Sequence, residues 1–342
     1  MNTSTQLLRE KLPQNIAEKI IATAQPTLRY KLEKAQDFPQ TASRVGGVGY
    51  WASERDYPRN AQGKPLALLA QINLAELPQG AAAVLGLPET GLLAFYFDAF
   101  DDLAGMNLDN VRDTSGNRCV YFTDVSAPSL SRETLLAMFP ADSYSYENQS
   151  DNDEINHGAN LCDLVALFGD NPNMSPEQAQ QAVFQFLGLD PNALPEKSTS
   201  NQAHQEELLL PFWGEYRLIF QEVSEQYATT YCVESQQAQT HLFDILADLN
   251  FDEDEVFELE EQINPYHDAN RLRGYPQFSQ GDPREDDDTL SESVLLFQLT
   301  SCQDSDDNTA VMWGDGGECQ FFIDKADLAA QRFDKAWFYW AN

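Results

Sequence analysis

Apolar residues at the start of the chain recur at helical spacing: Leu7, Leu8, Leu12, Ile16, Ile20 and Ile21 fall three to five positions apart or side by side. Ser4 or Thr5 supplies a cap, and Pro13 suits the first turn of a second helix. A helical hairpin or kinked helix is therefore predicted to end before Pro26 and to pack on the main body. From Arg44 onward the pattern becomes short apolar runs separated by Gly, Pro, Asn and Asp, which reads as strands joined by turns, most clearly at 66–72, 92–98 and 118–123. Composition shifts after Pro128. Residues 141–207 are rich in Asn, Gln, Ser, Asp and Pro, and read as a polar insertion whose apolar islands at 161–168 and 179–187 form short helices. Strand alternation returns at 215–223, followed by a predicted helix over about 236–249. Asp248 to Glu261 then hold eight carboxylates and no base. Phe251, Val256, Phe257, Leu259 and Ile263 make this stretch a helix with one solvated acidic face and an apolar one.

One segment recurs. Leu68-Leu69-Ala70-Gln71-Ile72 returns as Leu295-Leu296-Phe297-Gln298-Leu299, and each glutamine follows a glycine by 24 positions, Gly47 and Gly274. Downstream, Gly91-Leu92-Leu93-Ala94-Phe95-Tyr96-Phe97-Asp98 returns as Gly317-Glu318-Cys319-Gln320-Phe321-Phe322-Ile323-Asp324, the offset changing from 227 to 226. Two copies so far apart are not a solenoid, whose repeats run at roughly 20–50 residues, and they predict a duplicated β unit. A buried amide left unpaired costs about 1–3 kcal/mol, so each glutamine should bond backbone groups of the glycine turn or the equivalent strand of the other copy. Three bulky residues in succession suit a strand covered on both faces, and the terminal Asp can close the following turn.

Charge narrows the function classes. The 342 residues carry 21 Lys+Arg against 55 Asp+Glu, a formal −34. Residues 1–64 hold ten bases and six acids, so the remainder is at −38. Such a field repels phosphate backbones and anionic bilayers, which argues against nucleic-acid and membrane partners; it reads as a highly solvated surface, or, more sharply, as a face that docks a basic protein partner or mimics nucleic acid. The start of the chain has no apolar stretch that reads as an export signal, and no window approaches the roughly 20 apolar residues of a membrane span. Cys119, Cys162, Cys232, Cys302 and Cys319 are odd in number and show no Cys-x-x-Cys spacing, as expected of reduced thiols in a cytoplasmic protein.

Candidate chemistry is sparse. There is no Gly-x-Ser-x-Gly elbow, and His157, His204, His241 and His267 show no ligand spacing. Asp304-x-Asp306-x-Asn308 imitates the start of a calcium loop, but Thr309 and Asp315 stand where glycine and glutamate are required. Trp313-Gly314-Asp315-Gly316-Gly317 lacks the Lys-Ser/Thr of a phosphate loop and reads as a tight turn. Arg44, Arg271 and Arg273 are the cations that stand out, each beside a repeated glycine. With Gln71 and Gln298 they form the candidate ligand-binding set, because an arginine fork suits a carboxylate. The competing reading is internal salt bridges.

The stretches Ser43-Arg44-Val45-Gly46-Gly47, Gly63-Lys64-Pro65-Leu66-Ala67-Leu68-Leu69-Ala70-Gln71-Ile72-Asn73-Leu74 and Leu87-Pro88-Glu89-Thr90-Gly91-Leu92-Leu93-Ala94-Phe95-Tyr96-Phe97 resemble the N-terminal signature of the YwqG-like family, a bacterial domain family of unknown function. Gly274-Tyr275-Pro276-Gln277, Trp313-Gly314-Asp315-Gly316-Gly317 and Phe333-Asp334-Lys335-Ala336-Trp337-Phe338-Tyr339 resemble its C-terminal signature. Val48-Gly49-Tyr50 departs from the family's proline-containing turn, and Tyr57 stands where a tryptophan usually precedes the proline. The resemblance implies a single, mainly β domain with added helices (α+β), an internally duplicated roll or sandwich with pseudo-twofold halves. Its expected parts are an N-terminal helical segment at 1–25, a first β repeat at 44–125, the polar insertion at 141–207 and a second β repeat at 271–340. It implies no activity and no cofactor. The leading expectation is a non-enzymatic protein-binding module, immunity-like or regulatory. The alternative is an enzyme or small-ligand binder at the junction of the repeats.

Overall fold

Pro13 cuts the N-terminal helical stretch in two in the computed structural model of the protein, giving α1 (Thr3–Lys11) and α2 (Gln14–Ile21). The structure describes residues 3–35, 37–141, 143–144, 208–247, 249, 251–265, 269–285 and 287–342. Most of the predicted insertion at 141–207, with its helical islands, Cys162, His157 and His204, lies outside the described residues, as do His267 and Asp248. The described residues belong to one unit assembled from both ends of the chain, Met1–Tyr144 and Glu207–Asn342. α1 already includes Ser4 and Thr5, so neither caps it; the Thr5 hydroxyl instead meets the Tyr227 hydroxyl at 2.8 Å.

The sequence pattern missed the next element. β1 (Gln25–Lys34) follows α2 directly, although the strands were expected to begin at Arg44. It alternates Thr27, Leu28, Tyr30 and Leu32 with charged positions, and three Lys/Arg in the run hid its strand character. Then come β2 (Arg44–Val45), β3 (Ala67–Asn73), α3 (Ala81–Leu85), β4 (Leu92–Phe97), β5 (Asn117–Phe122) and α4 (Arg132–Leu136). After the insertion, β6 (Tyr216–Gln226) leads to α5 (Val233–Ala238), α6 (Leu242–Ala247) and α7 (Glu253–Ile263). The helix expected over 236–249 is thus broken. Gln239 takes a left-handed φ of 54°, and the Thr240 hydroxyl donates to Ala228 O at 2.5 Å, turning the chain between α5 and α6.

The final segment supplies β7 (Arg271–Arg273), β8 (Ser293–Thr300), the small hairpin β9 (Cys302–Gln303) and β10 (Thr309–Val311), then β11 (Glu318–Asp324), α8 (Lys325–Ala329) and β12 (Trp337–Ala341). Ten strands form one antiparallel sheet in the order β5-β4-β3-β2-β6-β1-β7-β8-β11-β12. The order reads alike from either edge: a two-residue or three-residue strand beside the central β1–β6 pair, then three longer strands outward. Register keeps the same symmetry, since Arg44 faces Arg217 across β2–β6 and Arg271 faces Arg29 across β7–β1. Within the central pair, Tyr30 faces Phe220 and Leu32 faces Leu218 about the Lys31–Ile219 pair.

The sheet curls until its edge strands β5 and β12 approach one another. Inside the curl, Phe95 of β4 stacks on Phe297 of β8 with ring centroids 4.6 Å apart and lies 4.9 Å from Phe321 of β11. Because side chains alternate along a strand, the other face of β4 sends Leu92, Ala94 and Tyr96 into a cluster with Tyr50, Trp51 and Leu68. β4 is buried at every position, as three successive bulky residues require. The helices α1, α2, α6 and α7 make a further cluster of Leu8, Leu12, Ile20, Leu246, Leu259 and Ile263.

Candidate functional site

The two predicted glutamines hold the two short strands in place. Gln71 Oε1 accepts from Tyr50 N at 2.8 Å, and its Nε2 donates to Ala42 O at 2.9 Å and to Gln40 O at 2.7 Å. Gln298 Oε1 accepts from Gln277 N at 2.9 Å, and its Nε2 donates to Ala269 O at 3.2 Å. Arg44 stands opposite Gln71 and Arg271 opposite Gln298. Arg44 Nη1 donates to Val48 O at 2.8 Å, and Arg271 Nη1 to Tyr275 O at 3.4 Å. Arg273, in a left-handed conformation at φ 60°, donates to Leu85 O and Leu295 O. Burial draws its guanidinium down to about 10.

These five side chains therefore do not converge on one pocket. β6 and β1 lie between β2 and β7, so Arg44 and Arg271 are three strand spacings apart, about 14 Å. Each arginine–glutamine pair is a frame closed on backbone groups.

Residues not singled out in the sequence make the two frames differ. In the first, Arg44 Nη1 lies 3.3 Å from Glu215 Oε2, and Arg132 forks onto the same carboxylate. Phe38 lies under both Arg44, 4.2 Å from its ring centroid, and Arg217, at 5.7 Å. Burial lowers the Arg44 pKa to about 10, with Glu215 acting in the opposite direction. In the second frame, Thr27 takes the place of Glu215. A Cβ on Gly47 would meet the Glu215 side chain, and a Cβ on Gly274 would meet that of Thr27. Beside Thr27 opens a cavity of about 690 Å³ at the end of the β1–β6 pair, with Arg29, Glu225, Gln226, Asn264 and Arg271 in its wall. The repeat at offset 227 leads from Arg44 to Arg271. It could not lead from Glu215 to Thr27, because the central strands correspond at a different offset, 188, and share almost no residue types.

Asp304 Oδ1 accepts from Asp306 N, Asn308 N and Asn308 Nδ2, closing the β9–β10 turn. No group of three His, Cys, Asp or Glu able to hold a metal occurs among the described residues. The glycine-rich run is a turn in which Gly316 and Gly317 N–H groups both donate to Trp313 O. A second cavity, of about 580 Å³, contains Asp98, Asp101 and Asp113, whose carboxylates cap Phe100, Gly105 and Ser115. Cys119, Cys232, Cys302 and Cys319 are free thiols. Burial raises Cys302 to about 11 and Cys232 to about 12, and pushes Cys119 and Cys319 up, so none is a ready thiolate at neutral pH. His241 Nδ1 lies 2.9 Å from Asp244 Oδ2, with its ring beside Tyr231 and Phe243.

The helices after β6 present a different surface. Asp252 caps α7 through a reciprocal pair, accepting from Glu255 N at 2.9 Å while Glu255 accepts from Asp252 N at 3.1 Å. Val256, Leu259 and Ile263 are buried, as is Glu260, which accepts from the Thr229 hydroxyl at 2.9 Å. Phe257 was expected on the inner face with them but is 54% exposed, because it falls on the helix surface between Asp254 and Glu261. Phe243 and Leu249 are also exposed, at 41% and 37%. Among the described residues no ion pair engages Glu253, Asp254, Glu258 or Glu261.

No described helix is long and apolar enough to cross a membrane. No curated protein matches the chain. A family model described as a domain of unknown function, DUF1963, matches residues 43–341, which takes in both arginine–glutamine frames and all the strands except β1. The chain belongs to the DUF1963 family, whose function is unknown.

Proposed function

We propose that this protein is a binding module for a basic protein partner, and that α6 and α7 form the docking face. The observation that carries the reading is the exposed Phe257 set among carboxylates that form no ion pair among the described residues. An aromatic ring ringed by acids fits an amphipathic basic helix: apolar contact supplies the anchor, and the charge supplies steering and selectivity. The net charge of −34 extends the attraction beyond the contact itself. A regulatory or immunity-like role in the cytoplasm follows from this reading, and the free thiols agree with a reducing compartment.

The likeness to YwqG-like proteins belongs to the same reading, as does the descent of the two halves from one duplicated unit. The bond pairs repeated at offset 227 support that descent.

The test is titration of a short helical peptide of leucine and lysine against the full chain, followed by fluorescence anisotropy at rising salt. Binding should weaken steeply with salt, and the double variant Glu258→Lys, Glu261→Lys should weaken it about tenfold, or ~1.4 kcal/mol. Reversal of Asp306 and Asp307, exposed on the β9–β10 turn, is the control. Equal losses from both reversals would reduce the effect to net charge and remove the docking face.

A further inference from the structure

Where α5 gives way to α6 there is a cavity of about 420 Å³, with Tyr231, Gln236, Gln239, His241, Asp244 and Ile245 in its wall. Asp244 and Ile245 belong to α6, so the cavity is continuous with the acidic docking face. The aromatic rings here are left in solvent: Tyr231 is 50% exposed and Phe243 is 41% exposed. His241 touches both, its ring centroid 5.8 Å from that of Tyr231 at an interplanar angle of 83° and 6.1 Å from that of Phe243 at 30°.

The wall carries the Asp244 carboxylate and no lysine or arginine. Asp244 Oδ2 holds His241 Nδ1 at 2.9 Å, whereas its Oδ1 has no partner among the described residues. A neutral His241 that donates from Nδ1 to Asp244 keeps an Nε2 lone pair as an acceptor. A second carboxylate, Glu285, is tied to two residues of the wall, accepting from the Tyr231 hydroxyl at 2.8 Å and from Gln236 Nε2 at 2.7 Å. Lys19 Nζ donates to Gln239 Oε1 at 3.2 Å, a bond to a neutral amide. Among the described residues neither Asp244 nor Glu285 forms an ion pair with Lys or Arg.

The geometry points to a pocket for an arginine side chain of the basic partner, an assignment that rests on the docking reading and adds to it the residue type seated between α5 and α6. A guanidinium is planar and weakly hydrated, so it lies on an aromatic ring while its N–H fork meets a carboxylate. An ammonium is compact and strongly hydrated, and matches only the charge. Tyr231 and His241 offer the rings, and Asp244 Oδ1 offers the acceptor.

The probes are the leucine–lysine peptide and its leucine–arginine counterpart, each titrated into the full chain by fluorescence anisotropy. The arginine peptide should bind at least about fivefold more tightly. Asp244→Asn should erase that preference, and because the Asp244 side chain is 84% exposed this variant keeps the fold. Asp254→Asn, which removes one exposed charge from α7, should weaken both peptides alike and keep the preference. Tyr231→Ala should erase it, and Tyr231→Phe, which retains the ring, should not. The inference is overturned, with the docking reading intact, if the two peptides bind equally, if the preference survives Asp244→Asn or Tyr231→Ala, or if Asp254→Asn removes it as fully. If neither peptide binds, the docking reading itself falls and takes the partner's arginine with it.

Discussion

Gln71 and Gln298 occupy the same place in two different halves of one sheet: each accepts from a backbone N–H that follows a glycine turn and donates to the carbonyl two residues before the facing arginine. Further bonds repeat with them. Asn73 N donates to Ser43 Oγ at 2.9 Å, and Thr300 N to Asn270 Oδ1 at 2.8 Å. Leu74 N donates to Gly91 O at 3.0 Å, and Ser301 N to Gly317 O at 2.9 Å. A two-residue strand such as β2 has too few ladder bonds to hold itself, and the glutamine supplies what the ladder cannot.

Gln71→Ala should therefore cost more than an ordinary buried truncation. It leaves Tyr50 N and the carbonyls of Gln40 and Ala42 without their partner, and each buried group so orphaned costs about 1–3 kcal/mol. Urea unfolding should show a loss of at least about 2 kcal/mol, and Gln298→Ala a loss of the same order. A change within experimental error in either would mean that the frames do not hold the strands.

Gly47 has a φ of +66°, and a Cβ there would lie 2.3 Å from the Glu215 carboxyl carbon. Gly47→Ala should be destabilising by about 1–3 kcal/mol through backbone strain and displacement of Glu215 from Arg44. Gly63→Ala is the comparison, since its φ is also positive, +81°, but nothing lies within 4 Å of the added carbon. Melting temperatures of the two variants should separate strain alone from strain with collision, and Gly47→Ala should melt lower.

Arg284 offers a test in the second half. Its guanidinium is fully buried, 2.6 Å from Asp282 Oδ2 and 2.7 Å from Glu234 Oε1, and it donates to Ser293 O at 2.8 Å. Arg284→Met should destabilise the fold by about 3–5 kcal/mol, because the buried Asp282 carboxylate keeps its desolvation cost and loses its cation. Adding Asp282→Asn to that variant should recover part of the loss in chemical denaturation.

Most of the sheet was readable in the sequence because its longer strands are apolar runs bounded by turn residues; β3, β4 and β5 lie within a residue or so of where the pattern puts them. β1 was hidden by its charged positions, and β2 and β7 by their length. The candidate residues were found through the repeat, but their grouping was not: sequence offset pairs Arg44 with Arg271, whereas the sheet separates them by two central strands. Phe257 was assigned to the core because helical spacing gives a face only to within a residue. The position lies at the border of the apolar stripe, and packing left it outside.

Asp324 carries a pH signature. Burial by itself would raise its pKa, but hydrogen bonds from Arg112 Nη2 at 2.9 Å and from the Ser293 hydroxyl at 2.5 Å outweigh it, and the net shift is downward. A carboxylate whose folded pKa is depressed stabilises the fold above its unfolded value and loses that contribution as pH falls through the folded one. The melting-temperature gap between the unsubstituted protein and Asp324→Asn should be open at neutral pH and close as pH drops below the ordinary aspartate value of 3.8. A gap that persists in acid would assign the effect to packing.

The docking reading is tested most directly by hydrogen–deuterium exchange of the full chain with and without the leucine–lysine peptide at low salt. The peptide should slow exchange across α6 and α7, with the largest protection between Glu253 and Ile263, and leave the β9–β10 turn unchanged. Protection spread evenly over the acidic surface, or confined to segments away from α6 and α7, would contradict it.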